Sequence, residues 1–394
     1  MALLDLWNKT PDQLSDKQVQ QLIAFAGAGK LLDEGDCSRE FRAFLARVHS
    51  GNLATYAKQC LTNPFPDSGL ALQDVINEIG VRLGAEITPG RYRGTSKHLG
   101  FDGLWKFSNG HSIIVEIKTT DAYRIDLNTI ANYRKALIDN KNISEAESSI
   151  LLIVGRQDTG DLEAQIRGSR HAWEIRIISV DALLRLMSIK EEVEDPTIIQ
   201  RIHKILIPRE FTRLDEIADI LFSATEDIKQ EEAVTDEEGV SVDKKTKEPK
   251  FTPVAFHEAC ISRIQIALGE PLLKRSRAQY STPDKSVIVN CAVSKEYNPD
   301  RNPGYWFAFH PHQRESLQST PKSFVAFGCG NSKRVLLIPF LDFNGWLHGL
   351  GQTHKDNRYY WHVVIYRKGD KYSLHRKKGE RNIDLTPYLL GQNA

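Results

Sequence analysis

Residues 100–120, Gly-Phe-Asp-Gly-Leu-Trp-Lys-Phe-Ser-Asn-Gly-His-Ser-Ile-Ile-Val-Glu-Ile-Lys-Thr-Thr, constrain the fold of this chain more than any other segment. Two strand-like runs, Leu104–Phe107 and Ser112–Thr119, flank Asn109-Gly110. That dipeptide between such runs predicts a two-residue hairpin turn, because both central positions of the turn need positive φ. On the second strand the period of two sends Ile114, Glu116 and Lys118 to one face and Ile113, Val115 and Ile117 to the other. Burying an unpaired charge costs on the order of several kcal/mol, so an apolar strand carrying Glu116 and Lys118 needs a reason: an edge ion pair, or a site.

Asp102 lies at the start of the partner strand and would complete such a site. A two-residue turn sets Asp102 opposite Ile117, however, and opposed residues share a face, so Asp102 would point away from Glu116 and Lys118. A β-bulge at Gly103, or a turn with an odd number of residues, restores the common face and is therefore expected.

The elements around the hairpin follow from periodicity. After the breaker Asn63-Pro-Phe-Pro-Asp-Ser-Gly69, the apolar residues Leu72, Val75, Ile76, Ile79 and Leu83 form one face of a helix over 70–84. Beyond the hairpin come a helix at about 126–139, the strand Ser149–Val154, a helix near 161–167, the strand Glu174–Ser179 and the helix Val180–Met187. This alternation predicts an α/β (α+β) mixed central sheet with helices on both faces.

Four regions are expected: an N-terminal helical region 1–66, the central domain 67–225, a linker 226–250 and a C-terminal domain 251–394. In the first, Ser15 would cap a helix Asp16–Ala28, and Arg39–Val48 repeats apolar residues at helical spacing. The linker is Glu, Asp and Lys with almost no large apolar residue, too little to offset the entropy of ordering. The C-terminal domain opens on a helix Phe256–Leu268. Short strands at Ser286–Cys291, Tyr305–His310, Ser323–Phe327, Arg334–Pro339, Tyr360–Tyr366 and Tyr372–Arg376 then suggest a β-rich antiparallel sheet or partial barrel.

The net charge of +1 conceals a division. Residues 251–394 hold 20 Lys+Arg against 11 Asp+Glu, or +9, leaving 32 against 40, or −8, for residues 1–250. A basic C-terminal third either forms a solvated face or meets a polyanion, where Lys and Arg gain affinity by releasing phosphate counterions. No apolar run is long enough to span a bilayer and the N-terminus lacks the pattern of a secretory signal, so a cytoplasmic protein without membrane contact is expected. The five cysteines are scattered, with no CxxC pair, and indicate neither a disulfide framework nor a zinc ribbon.

Asp102 and Glu116 offer the carboxylate oxygens that Mg²⁺ prefers, and Lys118 offers a cation for an attacking water or a charged phosphate. Asp102, thirteen intervening residues and Glu116-Ile117-Lys118, in this order of elements, resemble the PD-(D/E)xK nuclease superfamily, the restriction-endonuclease-like proteins, over roughly residues 70–190. Phe101 stands where that family's literal Pro would be. The resemblance implies Asp102 and Glu116 as metal ligands, the Ile117 carbonyl as a third, Lys118 as catalytic lysine, and Mg²⁺ or Mn²⁺ as cofactor. Some members add an acid from the preceding helix; Glu78 is the candidate, with a solvated helix face as the alternative. Others carry Gln-x-x-x-Tyr after the lysine, and here Thr129 stands in place of Gln before Tyr133.

Further candidates for nucleic-acid contact are Arg167, Arg170 and His171, and in the C-terminal domain Lys333, Arg334 and Arg358 among Tyr305, Trp306, Phe307, Trp346, Tyr359, Tyr360 and Trp361. The same rings equally suit the core of a small β-rich domain. His310-Pro-His312 lacks partners for a tetrahedral metal site, and no Walker sequence is present. The expected function is a Mg²⁺-dependent DNA endonuclease of restriction or antiviral defence, acting as a homodimer or higher homo-oligomer because two strands need two active sites. Two alternatives stay open: a non-specific effector nuclease activated by a ligand or protein partner, and a nucleic-acid-binding protein with an inactive nuclease fold.

Overall fold

The computed structural model describes residues 3–63, 65–93, 99–119, 125–155, 159–193, 196–208, 253–297, 303–355, 358–377 and 379–391. The expected linker 226–250 lies outside them. The chain divides into two compact units, Met1–Glu191 with Thr197–Phe222, and Glu192–Pro196 with Ser223–Ala394.

The first unit begins with helices α1 (Leu3–Lys9), α2 (Asp12–Ser15), α3 (Val19–Phe25), α4 (Asp36–Leu45), α5 (Ser50–Thr62) and α6 (Ser68–Leu83). Its sheet is built from β1 (Glu86–Pro89), β2 (Gly103–Lys106), β3 (Ser112–Lys118), β4 (Ser148–Val154) and β5 (Ile175–Ser179), in that spatial order. The first two junctions are antiparallel and the last two parallel. Between and after these strands run α7 (Leu127–Asp139), α8 (Gly160–Arg167), α9 (Val180–Glu192) and α10 (Pro196–Ile205).

Alternation along the strands makes two cores. Trp105, Ile113, Val115, Leu151 and Ile153 face one side and pack with residues of α1, α3, α4, α5, α6 and α9. Leu104, Ile114, Ile150, Leu152 and Val154 face the other and pack with α7 and α8. The mixed sheet flanked by helices thus matches the reading from sequence, and residues of α1, α3, α4 and α5 share a core with α6 and the sheet. In that stretch Ser15 ends α2, and Gln18, not Ser15, stands at the N-cap of α3.

The hairpin differs from the predicted two-residue turn. Phe107 N–H donates to the His111 carbonyl (3.0 Å), closing a loop of three residues. Gly110 alone of these takes positive φ (+89°), and the Asn109 side-chain oxygen accepts from His111 N–H at 3.0 Å. A three-residue loop ending on a left-handed glycine is the next most favourable hairpin connection, so one positive-φ position suffices. The resulting register pairs Gly103 with Val115 and Trp105 with Ile113. Continued by one residue, it brings Asp102 across from Glu116.

The second unit contains α11 (Pro253–Leu268), β6 (Leu273–Lys274), β7 (Gln279–Ser281), β8 (Val287–Ser294), β9 (Gly304–Phe309), α12 (Pro311–Gln318), β10 (Lys322–Cys329), β11 (Val335–Pro339), α13 (Phe340–Trp346), β12 (Gly351–Lys355), β13 (Arg358–Lys368), β14 (Lys371–Leu374) and β15 (Ile383–Asp384). Instead of one antiparallel sheet or partial barrel there are two sheets, one ordered β11-β10-β8-β7-β6 and one in which β13 pairs with β9, β12 and β14. The pair β8–β10 is parallel, and the long crossover through β9 and α12 is what parallel pairing requires. Cys260, Ile261 and Ile264 of α11 cover one face of the first sheet, and the two sheets share Phe307, Val325, Phe327, Phe343 and Trp361 as core. All five cysteines are buried and unbonded.

Candidate active site

The loop length sets the site, because it decides which side of β3 meets Asp102. Asp102 N–H donates to the Val115 carbonyl (3.0 Å), and its carboxylate oxygen Oδ2 accepts from the Ile117 N–H at 2.6 Å. On β3, Glu116 and Lys118 share a face as the two-residue period requires, and the Lys118 ammonium donates to Glu116 Oε1 at 2.5 Å. Burial and the neighbouring Glu116 charge push the Asp102 carboxyl well above the usual range, against the opposing pull of the Ile117 N–H and Lys118. The structure therefore brings together Asp102, Glu116, Ile117 and Lys118.

The second Glu116 oxygen, Oε2, is buried and has no hydrogen-bond partner among the described residues. A carboxylate oxygen out of water without a donor is costly unless a cation answers it. In a strand a residue projects its N–H and C=O to the same edge, so the Ile117 carbonyl lies on the edge where its N–H meets Asp102. No cluster of three or more His, Cys, Asp or Glu suited to a metal occurs among the described residues. Mg²⁺ is commonly bound through one or two carboxylates, with water completing its shell, so two carboxylates and a carbonyl fit it. Tyr133 of α7 also approaches: burial first, then the Glu116 charge, raises its phenol.

Glu78 behaves otherwise than expected. Its carboxylate oxygen Oε1 accepts from Arg82 Nε at 2.7 Å, and Arg82 in turn donates to the Val48 carbonyl at 2.8 Å. The α6 residues that do reach the site are Gln73 and Asn77, whose amides donate to the Asp102 carbonyl at 3.0 Å and 2.9 Å. Glu78 follows Asn77 by one residue and so sits about 100° further round the helix. The sequence reading missed Gln73 and Asn77, although with Gly80 they form a polar and small stripe beside the apolar one. Gly80 is needed there because a Cβ would lie 2.6 Å from the Trp105 ring.

A second buried network braces α6. Asp74 accepts from Arg42 Nε at 2.7 Å and from the Tyr92 hydroxyl at 2.5 Å. Burial lifts the Asp74 carboxyl to about 6 despite the Arg42 charge.

The remaining candidates make other contacts. Arg170 and His171 converge on the Asn128 side-chain oxygen at the start of α7, each at 3.3 Å, and His171 also meets Glu174 at 2.9 Å. Arg167 ends α8. In the second unit Arg334 pairs with Glu296 at 3.4 Å, Lys333 is exposed, and the Arg358 side chain lies outside the described residues. Tyr305, Phe307 and Trp361 are buried core. Trp306, Tyr360 and His362 are half-buried on the opposite face of their strands, with Trp306 Nε1–H donating to His362 Nδ1 at 3.1 Å.

No known protein family matches this chain, and no curated protein matches it. Among solved structures, one described as a complex of the restriction endonuclease PspGI with substrate DNA aligns at 11% identity over 58% of this chain and 92% of that one. Its TM-score of 0.23 is too low to bear on the assignment.

Proposed function

We propose that the chain is a Mg²⁺-dependent DNA endonuclease with Asp102, Glu116 and Lys118 as its active site. The observation that carries this reading is the buried, unanswered Glu116 Oε2, set on the same side chain as the Lys118 contact and beside the Asp102 carboxylate. Asp102, Glu116 and the Ile117 carbonyl would hold the metal, which when bound polarises the scissile phosphate and lowers the pKa of an attacking water. Glu116 fixes the Lys118 ammonium, which orients that water and offsets negative charge developing on the phosphate. Asp102 takes its aim from the Ile117 N–H.

The +9 charge of residues 251–394 supports a role for the C-terminal domain in holding and selecting DNA, with restriction or antiviral defence as the setting and a homodimer as the cutting form. The experiment is cleavage of supercoiled plasmid, linear duplex, single-stranded DNA and RNA by wild type, Glu116→Ala and Lys118→Ala, with Mg²⁺ or EDTA. Mg²⁺-dependent cutting of DNA that both variants lose, with unchanged melting, is the expected result. Normal cutting by Lys118→Ala would overturn the mechanism. No cleavage of any substrate unless a nucleotide or cell extract is added would point to the activated effector.

A further inference from the structure

We infer that Asn77, together with Gln73, is a positioning residue for the metal-binding carboxylate of Asp102. The inference rests on the nuclease reading above and goes beyond it, since neither amide touches the carboxylate.

The backbone at Asp102 departs from the strand it precedes. A residue in a regular strand sends its N–H and C=O to one edge. Asp102 sends its N–H to Val115 on β3 (3.0 Å) and its carbonyl to the opposite side, where Gly90 N–H donates to it at 3.0 Å. The carbonyl continues the β1–β2 ladder, and it is the peptide joining Phe101 to Asp102, whose N–H goes to β3, that is turned out of it. That turn releases the Asp102 side chain to reach past the end of β2 to the Ile117 N–H at 2.6 Å.

The Asp102 carbonyl that follows this turn is held by two amides besides Gly90: Asn77 Nδ2 at 2.9 Å and Gln73 Nε2 at 3.0 Å. Both side chains are nearly inaccessible, at 5% and 3% exposed. The Asn77 amide has only one sensible orientation. Trp105 Nε1–H can only donate, and it lies 2.9 Å from Asn77 Oδ1, so the NH₂ must face Asp102. Gly103 belongs to the same device, because a Cβ there would lie 2.2 Å from Asn77 Oδ1. Trp105 Nε1–H donates to Asn77 and Asn77 Nδ2–H to the Asp102 carbonyl, so a chain of fixed hydrogen bonds ends on the backbone of the metal-binding residue. Partners of this outer kind typically change metal affinity by about 10–100-fold when removed.

The test is direct Mn²⁺ binding, read by electron paramagnetic resonance, for the full-length wild type, Asn77→Leu, Gln73→Met and Asp102→Asn. Alongside it goes the Mg²⁺ concentration giving half-maximal cleavage. The expected result is Mn²⁺ binding by wild type that Asp102→Asn loses, weaker by about 10-fold or more in Asn77→Leu and less so in Gln73→Met, with half-maximal Mg²⁺ raised in the same order. If folded Asn77→Leu and Gln73→Met bind Mn²⁺ like wild type, with only the melting temperature lowered, the amides are structural and the inference fails while the nuclease site stands. Should Asn77→Leu not fold, Gln73→Met decides between these outcomes. If wild type and Asp102→Asn bind Mn²⁺ alike, the metal site itself is misplaced, and both readings fall.

Discussion

Arg82 is the side chain whose removal should cost this protein most. It is a fully buried cation whose Nε meets Glu78 at 2.7 Å and whose terminal nitrogen donates to the carbonyls of Leu45 (3.3 Å), the last residue of α4, and Val48 (2.8 Å) just beyond it. Breaking a buried pair from one side leaves an uncompensated charge, so Arg82→Met should cost about 3–5 kcal/mol in urea denaturation. The double change Glu78→Gln with Arg82→Met should recover part of that loss, and a double variant no better than the single would refute the coupling. Glu78→Gln alone should leave Mg²⁺-dependent cleavage intact, in contrast to Glu116→Ala, since its carboxylate is engaged by Arg82 and not by Asp102. The physical distinction between the two glutamates lies in their partners: both are largely buried, but Glu116 keeps one oxygen unanswered.

Helix α10 is latched to α6 through His203. Its Nε2–H donates to the Leu83 carbonyl at 2.6 Å, answering one of the orphan carbonyls at the end of α6, and its ring lies 4.7 Å from that of Phe107. Burial lowers the His203 pKa, chiefly by desolvation, so the ring is neutral in the fold. The unfolded chain binds the extra proton below about pH 6.5, hence stability is complete above that value and declines as pH falls through it. The raised carboxyls of Asp74 and Asp102 bind protons in the fold across the same window and favour it as pH falls, so the latch is read as a difference: the stability of wild type relative to His203→Gln, which keeps an N–H donor without titrating, should fall between about pH 7.5 and pH 5.5. His111, also lowered by burial, leaves a residual slope. An unchanged pH dependence in His203→Gln would show that the latch titrates elsewhere.

The chain as a whole carries two units with separate hydrophobic cores, and its charge is divided along the sequence, −8 for residues 1–250 and +9 for 251–394. Limited proteolysis should cut within the Lys- and Glu-rich stretch 226–250 and leave two folded fragments. The C-terminal fragment should bind duplex DNA with an affinity that falls steeply as salt rises, as counterion release demands. Retention of DNA binding by the N-terminal fragment alone would remove the recognition role from the C-terminal domain. Sedimentation of the full chain with DNA tests the homodimer expected of an enzyme that cuts both strands.

Periodicity by itself determined much of this protein: the helix over 70–84, the strands around Glu116 and Lys118, the alternation that buries both faces of the first sheet, and the odd step needed to bring Asp102 to them. These are local properties, set by side-chain spacing of 2.0 and 3.6. What the sequence left open depends on partners distant along the chain. The choice of a three-residue loop over a bulge stayed open because Asn109-Gly110 also suits a tighter turn. Gln73 and Asn77 read as ordinary helix polars until folding placed the Asp102 carbonyl 29 and 25 residues away against them. Glu78 was drawn to the wrong neighbour for the same reason, since Arg82 and the carbonyls it caps are chosen by helix packing. The parallel β8–β10 pairing likewise arises from a crossover that no local pattern encodes, because strand order is decided by which apolar faces can be buried together.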